Sequence, residues 1–194
     1  VKQLYWREFY YYLLFHFPNT YLKKEGLKST YKTFPWSYDK NKFNKWCNGE
    51  TGFPIVDASM KQLNQTGYLP NRSRLIVANF LTKLLRIDWT WGEKYFAQKL
   101  LDYSVSNNLG NWQWVASIGA DYQNRIYNPM SQSLKSDPDC LYIKKWLPIL
   151  KDIPNKDIHN WNKSHEKHTI DYNKPMINYQ EEYKLSKSLY KKHA

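Results

Sequence analysis

Long apolar runs are missing from this 194-residue chain. The longest, FYYYLLF at 9–15, is far too short to cross a bilayer, which takes about 20 apolar residues. The N-terminal stretch VKQLYWREFYYYLLF is interrupted by Lys2, Arg7 and Glu8 and carries no small-residue cleavage site, so neither a membrane span nor a secretory leader is expected. Cysteine is scarce as well. Cys47 and Cys140 form no motif with each other or with histidine, which argues against a disulfide framework or a zinc site and for a reducing intracellular compartment, cytoplasm or nucleus. The chain has no G-x-x-x-x-G-K-[ST] loop, no G-x-G-x-x-G, no G-x-S-x-G elbow and no H-E-x-x-H. His165 and His168 are spaced for one helix face, but in a polar tail they read as solvated. With no nucleophile or metal site in view, an enzyme here would take its chemistry from a cofactor.

Acidic residues are also short. Seventeen Asp and Glu face 29 Lys and Arg, a formal charge of +12 that attracts phosphate polyanions or anionic membranes. Many lysines lie in mixed-sign stretches such as KKEGLK, so charge alone leaves a merely solubilised surface equally open. What the chain has in quantity is aromatic side chains, at 18% with nine Trp and seventeen Tyr. That content, with 42% hydrophobic residues, suits one folded domain or a large piece of one and excludes a disordered chain.

Strand alternation and internal repeats are absent, and the class is all-α with long loops. Leu4, Phe9, Leu13 and Phe17 recur at helical spacing, predicting a helix over 3–17 that stops at Pro18. Residues 23–36 are polar and turn-rich, and a short helix over 41–46 ends before Gly49. Asp57 is placed to cap a helix carrying Met60 and Leu63 and closed by Gly67. NRSRLIVANFLTKLLRIDW is apolar nearly all round, the pattern of a buried helix. Thr90-Trp91-Gly92-Glu93 reads as a capping box opening a helix with Phe96, Leu100 and Tyr103. A compact helix is expected over 139–146. PNKDIHNWNKSHEKH reads as a surface connection, and YQEEYKLSKSLYKK as a docking helix. These divide the chain into a domain over 1–150 and an extension over 151–194 packing on it.

Trp36, Trp46, Trp89, Trp91, Trp112 and Trp114 have a plain reading as core residues. The stretches WRE and NNLGNWQW weaken it, because they combine tryptophan with groups that hydrogen-bond planar heterocycles or phosphates, and NRSR and DYS supply more such groups. A stacked base contributes about 1–3 kcal/mol.

WREFY (6–10), TGFPIVDASMKQLNQTGYLPNRSR (51–74), ANFLTKLLRIDWTWGEKYF (78–96), NNLGNWQW (107–114) and RIYNPMSQ (125–132) together resemble the C-terminal, FAD-binding helical domain of the DNA photolyase and cryptochrome family. YIKKWLP and PNKDIHNW continue the resemblance in order. It implies a helical domain holding FAD, acting as a lyase on pyrimidine dimers flipped out of DNA. Carried over by position, Arg7 resembles a flavin-phosphate contact. Arg74 and Asp102 resemble an ion pair beside the isoalloxazine, in the motif that includes Tyr103 and Ser104, and Asn108 resembles the side chain near flavin N5. Trp112, Trp89 and Trp36 match an electron relay. Trp6 and Trp114 match the walls that pack on the lesion, and Asn71, Arg72 and Gln132 match lesion or backbone contacts.

The resemblance also has departures. Ser104 stands where the family carries an acid, Gln3 where enzymes acting on cyclobutane dimers carry Glu, and Leu75 where methionine is common at the lesion. IGADYQNRIYNP is two residues shorter than its counterpart. The family's N-terminal antenna domain and the Thr/Ser loop that binds the flavin pyrophosphate have no match here, implying a split or truncated form that needs a partner half to hold FAD tightly. A non-catalytic remnant that binds DNA and a cryptochrome-like photoreceptor are the alternatives.

Overall fold

Proline and glycine set many of the helix boundaries in this chain. A computed structural model describes residues 1–27, 32–120 and 124–193. Helix α1 (Lys2–His16) stops before Pro18, which opens the single turn α2 (Pro18–Tyr21). Asp39 caps α3 (Lys40–Asn48) by accepting from the Lys42 amide. That helix and α4 (Pro54–Thr66) end at Gly49 and Gly67, both at φ 64°, the left-handed position a Cβ resists. The stretch read as apolar nearly all round forms α5 (Asn71–Asn79) and a π-helical turn over Phe80–Leu84, buried from Ile76 onward while Asn71 and Arg72 are exposed.

Two caps differ from the sequence reading. Pro54 occupies the first turn of α4, so Asp57 lies inside the helix. From there its buried carboxylate accepts from the Thr51 and Gly52 amides, 2.8 and 2.9 Å, and tightens the entering loop. Helix α6 (Trp89–Lys99) is capped by Asp88, which accepts from the Thr90 amide and hydroxyl, rather than by Thr90 with Glu93. An acceptor at 88 reaches the first free N–H groups, and Glu93 is left for another partner. Leu100 and Tyr103 fall beyond the end of α6.

Helices α7 (Val105–Ala116) and α8 (Pro129–Ser136) arise where the sequence reading placed none. SVSNNLGNWQW is rich in weak helix formers, so tertiary burial decides it. Gly110 makes the packing with α1 work: a Cβ there would strike the Tyr21 hydroxyl and the Tyr10 ring. Tyr10 is accordingly the buried residue of α1, with Leu13 and Leu14 beside it, while Leu4, Phe9 and Phe17 of the expected apolar stripe are exposed.

Helix α7 packs on α1, α5 and α6, and α4 packs on α3, α5, α8 and α9 (Leu141–Trp146). Among the described residues, extended pairing is confined to a parallel bridge between Ser37 and Ile87. The shortened segment IGADYQNRIYNP crosses residues 121–123, which lie outside the described residues.

The stretch read as a surface connection instead folds into α10 (Asn155–His159) and α11 (Trp161–Ser164), burying Ile158, His159 and Trp161. Trp161 donates to the Asn173 carbonyl at 3.0 Å, and His168 stacks on its indole while pairing with Asp157 at 2.9 Å. His165 Nδ1 lies 3.1 Å from the Trp161 carbonyl. These histidines are therefore structural partners of a buried indole. Tyr172 donates to Asp57 at 2.6 Å. Helix α12 (Tyr179–Lys192) lies on the π-helical turn, where Tyr190 donates to the Thr82 carbonyl, Ser186 to the Lys83 carbonyl, and Glu182 pairs with Arg86.

Candidate functional site

A cavity of about 280 Å³ opens between the start of α1, α5, the turn after α6 and one face of α7. Its position follows from three local anchors. The Leu101 amide bonds the Gly67 carbonyl at 2.9 Å, tying the turn after α6 to the end of α4 and setting Asp102 opposite α5. Arg74 Nε donates to the Leu69 carbonyl at 2.6 Å, and its Nη2 reaches both Asp102 oxygens at 2.9 and 2.7 Å. This sets one charged pair into an otherwise neutral wall.

Asn108 is the second anchor. It is buried on α7 and donates to the Glu93 carbonyl and carboxylate at 3.1 and 3.0 Å. The Tyr103 phenol is pushed up from its ordinary pKa by burial first and by the same Glu93 carboxylate second. Trp112 is the third, buried with its ring edge-on to Phe96 at 5.1 Å. Gln3, Asn71, Leu75 and Ser104 complete the side chains expected from sequence that line the cavity. Ser104 Oγ accepts from the Asn107 amide at 3.0 Å and lies 3.2 Å from the Tyr11 hydroxyl.

The other expected residues lie away from this cavity. Arg7 is exposed and bonds its neighbour Glu8, and Arg72 is exposed at the start of α5. Trp6 is exposed on α1 against Phe9 and Tyr10. Trp114 is half-buried under the Arg125 guanidinium, 5.5 Å from its ring; Asn79 fixes that segment by bonding the Arg125 carbonyl and the Tyr127 amide. Gln132 is half-buried on α8. Trp89 is buried, with its indole N–H on the Lys24 carbonyl, and Trp36 is half-buried beside Phe34. Trp112 packs against Gly92, on the same helix as Trp89. The Ser37–Ile87 bridge sets the segments carrying Trp36 and Trp89 side by side.

Glu93, Tyr11, Asn107 and Phe96 have no site role in the sequence reading: Glu93 is legible there as a helix cap, Phe96 as an apolar helix position and Asn107 as part of NNLGNWQW, and nothing local marks Tyr11. Among the described residues no three His, Cys, Asp or Glu gather as a metal site.

The residues match the FAD-binding domain of DNA photolyase over 1–192. The chain belongs to this family. It is 45% identical to the deoxyribodipyrimidine photo-lyase of Buchnera aphidicola from Acyrthosiphon pisum, over 97% of this chain and 40% of that protein. It is 42% identical to that of Vibrio cholerae, over 98% and 41%. Among solved structures, the photolyase of Sulfolobus tokodaii with two FAD molecules superposes with TM-score 0.89 at 43% identity, covering 97% of this chain and 43% of that one. The Synechocystis cryptochrome superposes at 0.87 and 36%, covering 96% and 40%. The chain thus spans about two fifths of the length of these relatives.

The photolyase-type cavity fits a planar heterocycle. Its volume is close to the lower end of small-molecule sites, roughly 300–1,000 Å³, which suits a ring system with its remainder outside. Trp112, the Asn108 side-chain amide and the Arg74–Asp102 pair all line the cavity.

Proposed function

We propose that this chain forms the flavin- and lesion-facing part of a light-driven, FAD-dependent enzyme that repairs ultraviolet-made pyrimidine dimers in DNA, completed by a polypeptide corresponding to the rest of its relatives. The observation that carries the reading is a single cavity wall where the Arg74–Asp102 pair, Asn108 and Trp112 meet. When bound, FAD would supply the absorption of near-ultraviolet and blue light and the excited-state electron donor, which no side chain here provides.

The residues divide the remaining work. Arg74 and Asp102 hold the ring edge through an ion pair fixed on both sides, with Tyr103 and Ser104 adding neutral contacts. Glu93 holds the Asn108 amide in one orientation toward the ring. Trp112 lines the cavity and packs on Gly92 of the helix that carries Trp89, and the Ser37–Ile87 bridge brings the segment of half-buried Trp36 beside that of Trp89, a placement that suits electron delivery inward. Trp6 and Trp114 offer stacking faces for an extruded pyrimidine dimer whose own stacking is already broken. Gln3 and Leu75 line the mouth, Asn71, Arg72 and Gln132 offer polar contacts, and exposed Arg7 suits a flavin phosphate. The +12 charge supplies phosphate attraction that falls steeply with salt. Two free, buried cysteines suit a reducing compartment.

The test is to purify the chain with and without the remaining part of the Buchnera enzyme, add FAD, and follow flavin absorbance and light-dependent loss of dimers from irradiated DNA. Retained flavin with light-dependent repair is expected. A colourless protein in both preparations would sink the proposal. Gln3 in the cavity wall favours one second reading, a cryptochrome-like photoreceptor, in which illumination reduces the flavin and dimers persist.

A further inference from the structure

A connected run of aromatic rings leads from the cavity to the surface by a way that avoids Trp89 and Trp36. It is built from two helices and the residue before one of them. Phe43 and Trp46 stand three apart on α3, and Trp91 and Tyr95 four apart on α6, so each pair shares one helix face. Trp46 meets the cavity-lining Trp112 edge-on, with 6.3 Å between ring centres. It also stacks on Phe43 at 5.8 Å, Phe43 meets Trp91 at 5.2 Å, and Trp91 meets Tyr38 at 5.8 Å. These are the separations of rings in contact. Burial falls along the run: Trp46 is fully buried, Trp91 half-buried and Tyr38 54% exposed.

Chemistry gives the run a direction. An indole that has lost an electron is a cation, and a buried cation is costly unless it is paired. The Trp46 N–H already donates to the Val77 carbonyl at 3.0 Å, a group that takes no proton, so the charge cannot be shed there. Tyr95 touches Trp46 at 5.7 Å, but its phenol donates to the Asn64 side-chain oxygen at 2.5 Å, which takes no proton either, and burial pushes it up to about 12. Tyr38 differs. Its oxygen accepts from Lys24 at 3.0 Å, which leaves its own O–H to donate to water.

We infer that Trp46, Trp91 and Tyr38 form a second electron route into the cavity, beside the one through Trp89 and Trp36. When Trp112 has given an electron to excited flavin, one electron passes from Tyr38 through Trp91, across the Phe43 contact, to Trp46 and on to Trp112. The Tyr38 O–H bond breaks and its proton goes to water. An external thiol then returns one hydrogen atom to that oxygen, and two of the resulting thiyl radicals join as a disulfide. The inference rests on the flavin-holding role proposed above, and it applies to repair and to photoreception alike.

The experiment completes the full chain with the remaining part of the Buchnera enzyme, loads FAD, and follows flavin photoreduction with a thiol present. Electron paramagnetic resonance of samples frozen under illumination is recorded alongside. Trp36→Phe should slow photoreduction by no more than about threefold, and adding Trp91→Phe should slow it about tenfold further. In Trp36→Phe a tyrosyl radical signal is expected, and it should vanish when either Tyr38→Phe or Trp91→Phe is added. Phenylalanine keeps an aromatic ring at each position and neither residue lines the cavity, so flavin content per chain should be unchanged. Photoreduction abolished by Trp36→Phe alone, a double variant as fast as Trp36→Phe, or a radical that survives Tyr38→Phe would each overturn the inference while leaving the flavin site standing. A completed protein that holds no flavin would remove the functional reading and the second route together.

Discussion

The Trp112 indole lies directly on the backbone of Gly92: a Cβ at 92 would run into its outer ring atoms and come within 2.6 Å of Leu81 Cδ2. A wall of the cavity therefore depends on a missing methyl group in α6.

Gly92→Ala should cost about 1–3 kcal/mol, the usual effect of overpacking a core. Urea unfolding followed by tryptophan emission checks it. An unchanged midpoint with an unchanged native spectrum would show that the ring yields without consequence.

The Arg74–Asp102 pair predicts a separation of stability from binding. Its carboxylate is half-exposed, and such pairs contribute about 0–1 kcal/mol. Asp102→Asn should barely move the unfolding midpoint but weaken flavin binding about tenfold, the equivalent of ~1.4 kcal/mol. Calorimetric titration of flavin into the completed protein reads this directly. Arg74→Ala should be worse on both counts, because Arg74 also anchors to the Leu69 carbonyl.

Two buried carboxyls should give pH slopes of opposite sign. Burial pushes Asp88 up, but Lys24 and the Thr90 bonds outweigh it and hold it below its ordinary value. Its contribution is therefore present above the ordinary carboxylate range and lost as pH falls through the folded value. Burial outweighs the Thr51, Tyr172 and Gly52 bonds at Asp57 and leaves it raised, so its contribution is greatest at low pH and lost as pH rises through the folded value. Stability measured from pH 3 to 7, a span of about four decades of proton activity bracketing the ordinary carboxylate range, should lose its acid-side fall in Asp88→Asn and steepen it in Asp57→Asn. Asp88→Ala also removes a helix cap, at about 0.5–2 kcal/mol. Parallel slopes in the two Asn variants would contradict the assignment.

The cysteines should be inert in the native state. Burial pushes the Cys47 thiol up to about 12 and the Cys140 thiol up to about 11. Cys140 lies 3.3 Å from His159 Nε2, yet it is fully buried and that contact does not make it accessible. A thiol reagent at neutral pH should label neither residue until denaturant is added, when both react. Rapid labelling of the native chain would show that these sites open locally.

Helix existence was legible wherever a buried face repeats at 3.6 residues with a proline or glycine at its end, as in α3, α4 and α5, and in α12 from its apolar positions alone. The sequence by itself also determined the family, because motifs such as NNLGNWQW and RIYNP place specific side chains in a fixed order. The resemblance implied the pairing of Arg74 with Asp102, which the structure contains, and both Asn108 and Trp112 line the cavity. Only the tertiary structure decided that 105–116 is helical, since Ser, Asn and Gly are weak formers and Gly110 acts through contact with Tyr10. It likewise decided that Glu93 orients Asn108 instead of capping α6, and that the polar stretch 154–168 buries Trp161. Each of these outcomes turns on a partner distant in sequence, and a local pattern carries no record of what the rest of the chain brings against it.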